Sequence, residues 1–183
     1  MTEEDNSPFN PLPGTVCYHH NDRPESWTHW NTDFPGIWSS LVRPEDAGSY
    51  IARFITSNCG GVYRLVGLAN PGINVPAKID RVCGADETGT LYIGRANDQR
   101  ALQTRLGNLF RTLKARKGFA YSGHSAADFL RHHPLLSARF PLDCLAVSWS
   151  YDYHDVMAEQ ILFGRYVRSF GEAPPLNLQQ GLV

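Results

Sequence analysis

The stretch that decides the fold is Gly89-Thr90-Leu91-Tyr92-Ile93-Gly94-Arg95-Ala96-Asn97-Asp98. Its first half is rich in β-branched and aromatic residues, as a strand prefers. Gly94 closes that run, and a glycine near a strand end lets a backbone or a ligand come close. From Asp98 the period changes. Leu102, Leu106, Leu109, Phe110 and Leu113 fall at i, i+4, i+7, i+8 and i+11, which is one face of a helix over residues 98–116.

A second β-rich, alternating segment lies upstream at 61–68, Gly-Val-Tyr-Arg-Leu-Val-Gly-Leu. Paired as antiparallel neighbours, the two strands can bring Tyr63 and Tyr92 onto one face. Plain buried tyrosines fit the same pattern. The connection, residues 69–88, is punctuated by glycine and proline, and Gly84–Gly89 reads as a tight turn into the second strand. Structureless connections of this length are uncommon and often functional.

The flanks complete a small α/β (α+β) domain. Residues 1–44, rich in Pro, Asn, Asp and Trp, read as an extended arm, with Trp27, Trp30 and Trp38 packed on a body spanning 45–183. Pro44 opens a helix that ends near Asn58. Ser125 and Asp128 resemble a capping box for a further helix. Residues 143–151 form a third strand, and 155–170 a last helix stopped by Gly-Glu-Ala-Pro-Pro.

Composition bounds the function. The 183 residues are 42% hydrophobic with net charge −1, and no apolar run spans a membrane. The acidic start has no signal-peptide core, so a cytoplasmic protein is expected. Cys17, Cys59, Cys83 and Cys144 show no C-x-x-C and read as buried free thiols. Cys17, His19 and His20 are too few for a closed metal site. Residues 1–50 carry eight acids against two bases, whereas 95–117 carry seven bases against one acid. Such a basic face can bind phosphates or simply be a solvated helix.

Two side chains fit poorly as structure alone. Glu159 falls on the same stripe of the last helix as Phe163, Tyr166, Val167 and Phe170. A carboxylate there is costly unless it pairs with an arginine, caps the first turn or binds a cation. Arg105 lies at the edge of its helix's apolar stripe, where it can bury its stem and turn its head into a cleft. Arg100 and Arg111 point into water.

Taken in order, these features resemble the GIY-YIG nucleases. The naming triplets are similar to Gly61-Val62-Tyr63 and Tyr92-Ile93-Gly94, with Gly61 and Gly94 as their structural glycines. Arg105, Glu159 and Asn177 stand where that family has its helix arginine, its helix glutamate and its closing asparagine. The likeness runs over residues 60–178. It implies a small three-stranded antiparallel sheet flanked by helices, and hydrolysis of DNA with one divalent cation, Mg²⁺ or Mn²⁺.

By the same resemblance Glu159 binds the metal and Arg105 holds the scissile phosphate. Tyr63 serves as general base, oriented by Tyr92, and Asn177 ties down the site. Arg95, Lys114, Arg116 and Lys117 are the candidate DNA contacts. The long spacing between the tyrosines looks like the restriction-enzyme branch, implying a restriction or defence role and a possible symmetric homodimer. That branch often has a histidine one turn after the arginine, where this chain has Leu109. His124 is the substitute, donating to a phosphate or helping the base; a capping or surface histidine is the plain alternative. A non-catalytic nucleic-acid-binding module on the same fold is the rival reading.

Overall fold

The computed structural model describes residues 29–31, 38–55, 60–96, 101–115, 123–151 and 155–178. Among these described residues five strands and five α-helices follow in the order α1 (Ala47–Phe54), β1 (Gly61–Gly67), β2 (Ile79–Arg81), β3 (Gly84–Asp86), β4 (Thr90–Ala96), α2 (Leu102–Lys114), α3 (Ser125–His132), α4 (Pro134–Arg139), β5 (Leu145–Tyr151) and α5 (Asp155–Phe170). The fold is the expected mixed one, an antiparallel sheet β4-β1-β5 flanked by helices, with a small β2-β3 ribbon beside it.

β1 is the central strand, paired on both edges and buried along its whole length. Its alternation therefore sorts side chains between two covered faces rather than between core and water. Tyr63 and Leu65 join one core with Ile51 of α1, the leucine stripe of α2, and Ala127 and Leu130 of α3. Val62 and Ile93 join the other with Trp30 and with Ala158, Leu162, Tyr166 and Phe170 of α5. The α2 stripe behaves as its spacing predicts, since Leu102, Leu106 and Leu109 are fully buried. Each such leucine contributes about 1.5–3 kcal/mol.

The connection from β1 to β4 is not structureless. It carries the β2-β3 ribbon, and Gly84–Asp86 is a strand rather than a turn. The turn follows at Glu87 and Thr88 and is organised by Asp86, whose carboxylate is fully buried. It accepts from the Thr88 N–H and Oγ1, the Thr90 N–H and the Tyr166 hydroxyl. Four donors thus satisfy a side chain that would be costly to bury without partners. It fixes where β4 begins and fastens that end to α5.

Further departures are local. α1 starts after a turn at Pro44–Asp46 and ends at Phe54. α3 is capped by His124 and not by Ser125, because the histidine Nδ1 rather than the serine hydroxyl accepts the Ala127 N–H. α4 has no counterpart in the sequence reading. Cys83 is exposed, contrary to expectation, and Cys144 is buried; Cys17 and Cys59 lie outside the described residues. Of the arm, Trp30 is buried, with its indole donating to Thr88, and Trp38 is half-buried under the Arg64 guanidinium. Trp27 lies outside the described residues. Among the described residues no helix is long and apolar enough to cross a membrane.

Candidate active site

Tyr63 sits mid-strand in β1, directly opposite Gly94 on β4, while Tyr92 is opposite Leu65. The two phenols are thus diagonal neighbours on one face, with ring centroids 6.0 Å apart. Gly94 makes the arrangement possible. A Cβ there would lie 2.9 Å from the Cζ and Oη of Tyr63 and closer still to Cε1 of Tyr92. Gly61 has a different cause: a Cβ would strike the backbone oxygen of Ser150 on β5.

Two side chains from other elements converge on the Tyr63 hydroxyl. Arg105 on α2 donates from Nε at 3.0 Å. His124, preceding α3, places Nε2 2.7 Å away. His124 Nδ1 accepts the Ala127 N–H at 3.3 Å, so that nitrogen carries a lone pair. The neutral ring then bears its proton on Nε2, and His124 donates to the phenol oxygen. The plain alternative of a capping histidine is realised, and the same ring also touches the Tyr63 hydroxyl.

Electrostatics follow from burial. Burial, and then the Arg105 charge, lower the His124 pKa to about 3, so the ring is neutral near pH 7. Burial and neighbouring Tyr92 hold the Tyr63 phenol well above its ordinary range, with Arg105 pulling the other way. Tyr92 is raised by burial, lowered by Arg105 and raised again by the charge of Glu159. Burial works against the Arg105 charge too, yet the two phenol oxygens outweigh it and its pKa rises.

Asn177 secures the free edge of β4. Its side chain accepts the Ile93 N–H at 2.9 Å and donates to the Ile93 carbonyl at 2.8 Å, and the Leu176 N–H bonds Leu91. Ile93 is the residue between Tyr92 and Gly94, so this clamp fixes the strand at the site. Asn177 also lines a cleft of about 580 Å³ walled by Tyr92, Arg105, Ser125, Asp128 and Phe129.

Glu159 lies on the other side of the sheet from the phenols, near enough for its charge to act on Tyr92. α5 packs on the Ile93 face, opposite the phenols. The buried stripe of α5 runs through Ala158, Leu162, Tyr166 and Phe170, whereas Phe163 and Val167 are half-buried. Glu159 is therefore at the margin of the stripe and not in its middle. There its Oε2 meets Arg95 Nε at 3.0 Å, with 14% and 37% of the two side chains exposed. The arginine alternative foreseen for this carboxylate is thus realised, and Arg95, expected on DNA, is held by Glu159.

The basic segment is not one continuous face. Arg111 bonds back to Gly107 and Asn108 of its own helix. Lys114 is exposed, nine residues along α2 from Arg105 and so on the opposite side of that helix. Arg116 and Lys117 lie outside the described residues.

As for a metal, no group of three or more His, Cys, Asp or Glu side chains gathers among the described residues. A single, partly exposed carboxylate suits Mg²⁺ or Mn²⁺, which keep several waters and share substrate oxygens, and does not suit structural zinc. No protein-family model, curated protein or solved structure matches this chain.

Proposed function

We propose that this chain is a divalent-metal-dependent DNA endonuclease of the GIY-YIG kind, with restriction or defence as its setting. The observation that carries the reading is the convergence of Arg105 Nε–H and His124 Nε2–H on one phenol oxygen beside a cleft. A neutral phenol makes limited use of two donors, whereas a phenolate accepts both and has room for a third. Donors that favour the charged form oppose the effect of burial on its pKa.

In this reading Tyr63 takes the proton of the attacking water. Tyr92 orients it from the adjacent strand. Arg105 bonds Tyr63 and lines the cleft, where its remaining guanidinium donors grip the scissile phosphate. His124 fixes the Tyr63 oxygen without competing for the proton, because its own basic nitrogen is spent on the helix cap. Asn177 holds β4 in register. Glu159 would be the protein ligand for Mg²⁺ or Mn²⁺, and the ion would supply positive charge to the phosphate and the leaving 3′ oxygen.

The test is incubation of supercoiled plasmid with the full chain, with Mg²⁺ and with chelator. Cutting that requires metal and is lost in Glu159→Gln is the expected result. DNA retardation in gels without any cutting by the unmutated chain would support the non-catalytic module instead. Failure to bind either DNA or metal would leave the tyrosines as packing residues only.

A further inference from the structure

Glu159, the carboxylate offered above as metal ligand, already has a cation. The Arg95 guanidinium holds its Oε2 at 3.0 Å. The pair joins two elements, with Arg95 next to Gly94 on β4 and Glu159 in the first half of α5. Glu159 is largely enclosed while Arg95 is more than a third exposed, so the pair opens to water mainly on the arginine's side. A carboxylate so enclosed is costly without a positive partner. A divalent ion and a guanidinium at the same oxygen would repel each other at close range, in a place only partly screened by solvent.

We infer that Arg95 is a stand-in cation that guards Glu159: it occupies the carboxylate in the metal-free protein and must be displaced before a divalent ion loads. The metal half of this inference rests on the nuclease reading; the ion pair does not. Glu159 is thereby kept charged and aimed while the site is empty of substrate, and the free protein's affinity for the ion is held low. The displaced Arg95, a side chain already partly in solvent, gains a new partner when a phosphate oxygen arrives. Phosphate and ion then reinforce each other, since each removes an obstacle to the other, and the coupling is reciprocal. The exposure of Arg95 matters here: a fully buried guanidinium could not leave so readily.

The experiment is a titration of the full-length protein with Mn²⁺ in the absence of DNA, following free Mn²⁺ by electron paramagnetic resonance. Wild type is compared with Arg95→Gln and Glu159→Gln, each checked by thermal melting. Arg95→Met, which keeps the packing of the stem, replaces the glutamine variant if that one melts early. The expected result is Mn²⁺ binding about tenfold tighter in the Arg95 variant than in wild type, the worth of one charge-assisted contact, and loss of the site in Glu159→Gln. Equal or weaker binding in a folded Arg95 variant, with the site still lost in Glu159→Gln, overturns the guard and leaves the metal site standing. Equal Mn²⁺ binding by wild type and Glu159→Gln, or no binding by any of them, overturns the guard and the metal assignment together.

Discussion

The Oη of Tyr63 and the Nε2 of His124 lie 2.7 Å apart, and the other nitrogen of the same imidazole caps α3 through the Ala127 N–H. One side chain thus couples a helix terminus to a phenol in the middle of the sheet. The two duties can be separated by substitution. Asparagine keeps a cap acceptor close to the backbone but is too short to reach Tyr63.

His124→Asn is therefore expected to recover the cap that His124→Ala loses, worth about 1 kcal/mol, while both variants lose the bond to Tyr63, whose oxygen keeps Arg105 as a partner. DNA cutting should fall in both variants, with the rising, acid-side limb of the pH–rate profile moved to higher pH because the phenolate has lost a donor. Denaturant unfolding and pH–rate profiles check this. An unmoved profile in His124→Asn would reduce the histidine to a cap.

The same residue sets an acid limit on stability. Its folded pKa is lowered to about 3, first by burial and then by Arg105, while in the unfolded chain it protonates near 6.5. Between those values the unfolded state binds the extra proton. This contribution is full above about pH 6.5 and is lost as pH falls, by up to about 1.4 kcal/mol per unit. At the alkaline end Tyr63, raised by burial, acts in the opposite sense: its contribution holds below about pH 10 and is lost above it. Unfolding free energies measured across pH should show a shallower acid limb in His124→Asn and a shallower alkaline limb in Tyr63→Phe.

Gly94→Ala should cost about 1–3 kcal/mol through overpacking, since the new methyl meets both phenols and the hydrogen-bonded Tyr63 cannot step aside freely. Gly107 is its control. A Cβ there meets nothing within 4 Å, so Gly107→Ala on α2 should gain up to about 1 kcal/mol from helix propensity. Chemical denaturation of both variants decides it. A Gly94→Ala protein as stable as wild type would contradict the close diagonal packing of the phenols.

Asn177→Leu removes both bonds to Ile93 and leaves a backbone N–H and C=O of β4 without partners. The expected loss is about 2–3 kcal/mol, with faster hydrogen exchange at the Ile93 amide. Unchanged exchange there would mean that Asn177 does not clamp the strand.

Much of this was legible in the sequence, and what was not has physical reasons. The leucine stripe of α2 and the paired strands follow from periodicity, and Gly94 marked the spot where two phenols needed room. The second phenol's neighbours were legible only in part. His124 was singled out, but its capping role belongs to backbone geometry, where an imidazole Nδ1 does the work of a hydroxyl. The ribbon within 69–88 went unseen because its strands are three residues each, too short to show a period, and Asp86 looked like a turn residue when it is a buried hub. The period alone puts Glu159 on the stripe of α5, whereas the side chain lies at its margin. Helical spacing fixes which residues neighbour one another, not which of two adjacent rows faces the sheet; Ala158, with its small side chain, takes the close approach, and this leaves Glu159 free to reach Arg95.

The most direct measurement of the central claim is the single-turnover rate of plasmid cutting in Mg²⁺ by wild type, Tyr63→Phe and Arg105→Ala, with Arg111→Ala, whose guanidinium bonds back to Gly107 and Asn108 of its own helix, as the control. The account predicts metal-dependent cutting by wild type, losses of about a hundredfold or more in the first two variants, and near-normal turnover at saturating protein in the third. Cutting by Tyr63→Phe at the wild-type rate, or equal losses from Arg105→Ala and Arg111→Ala, would contradict it.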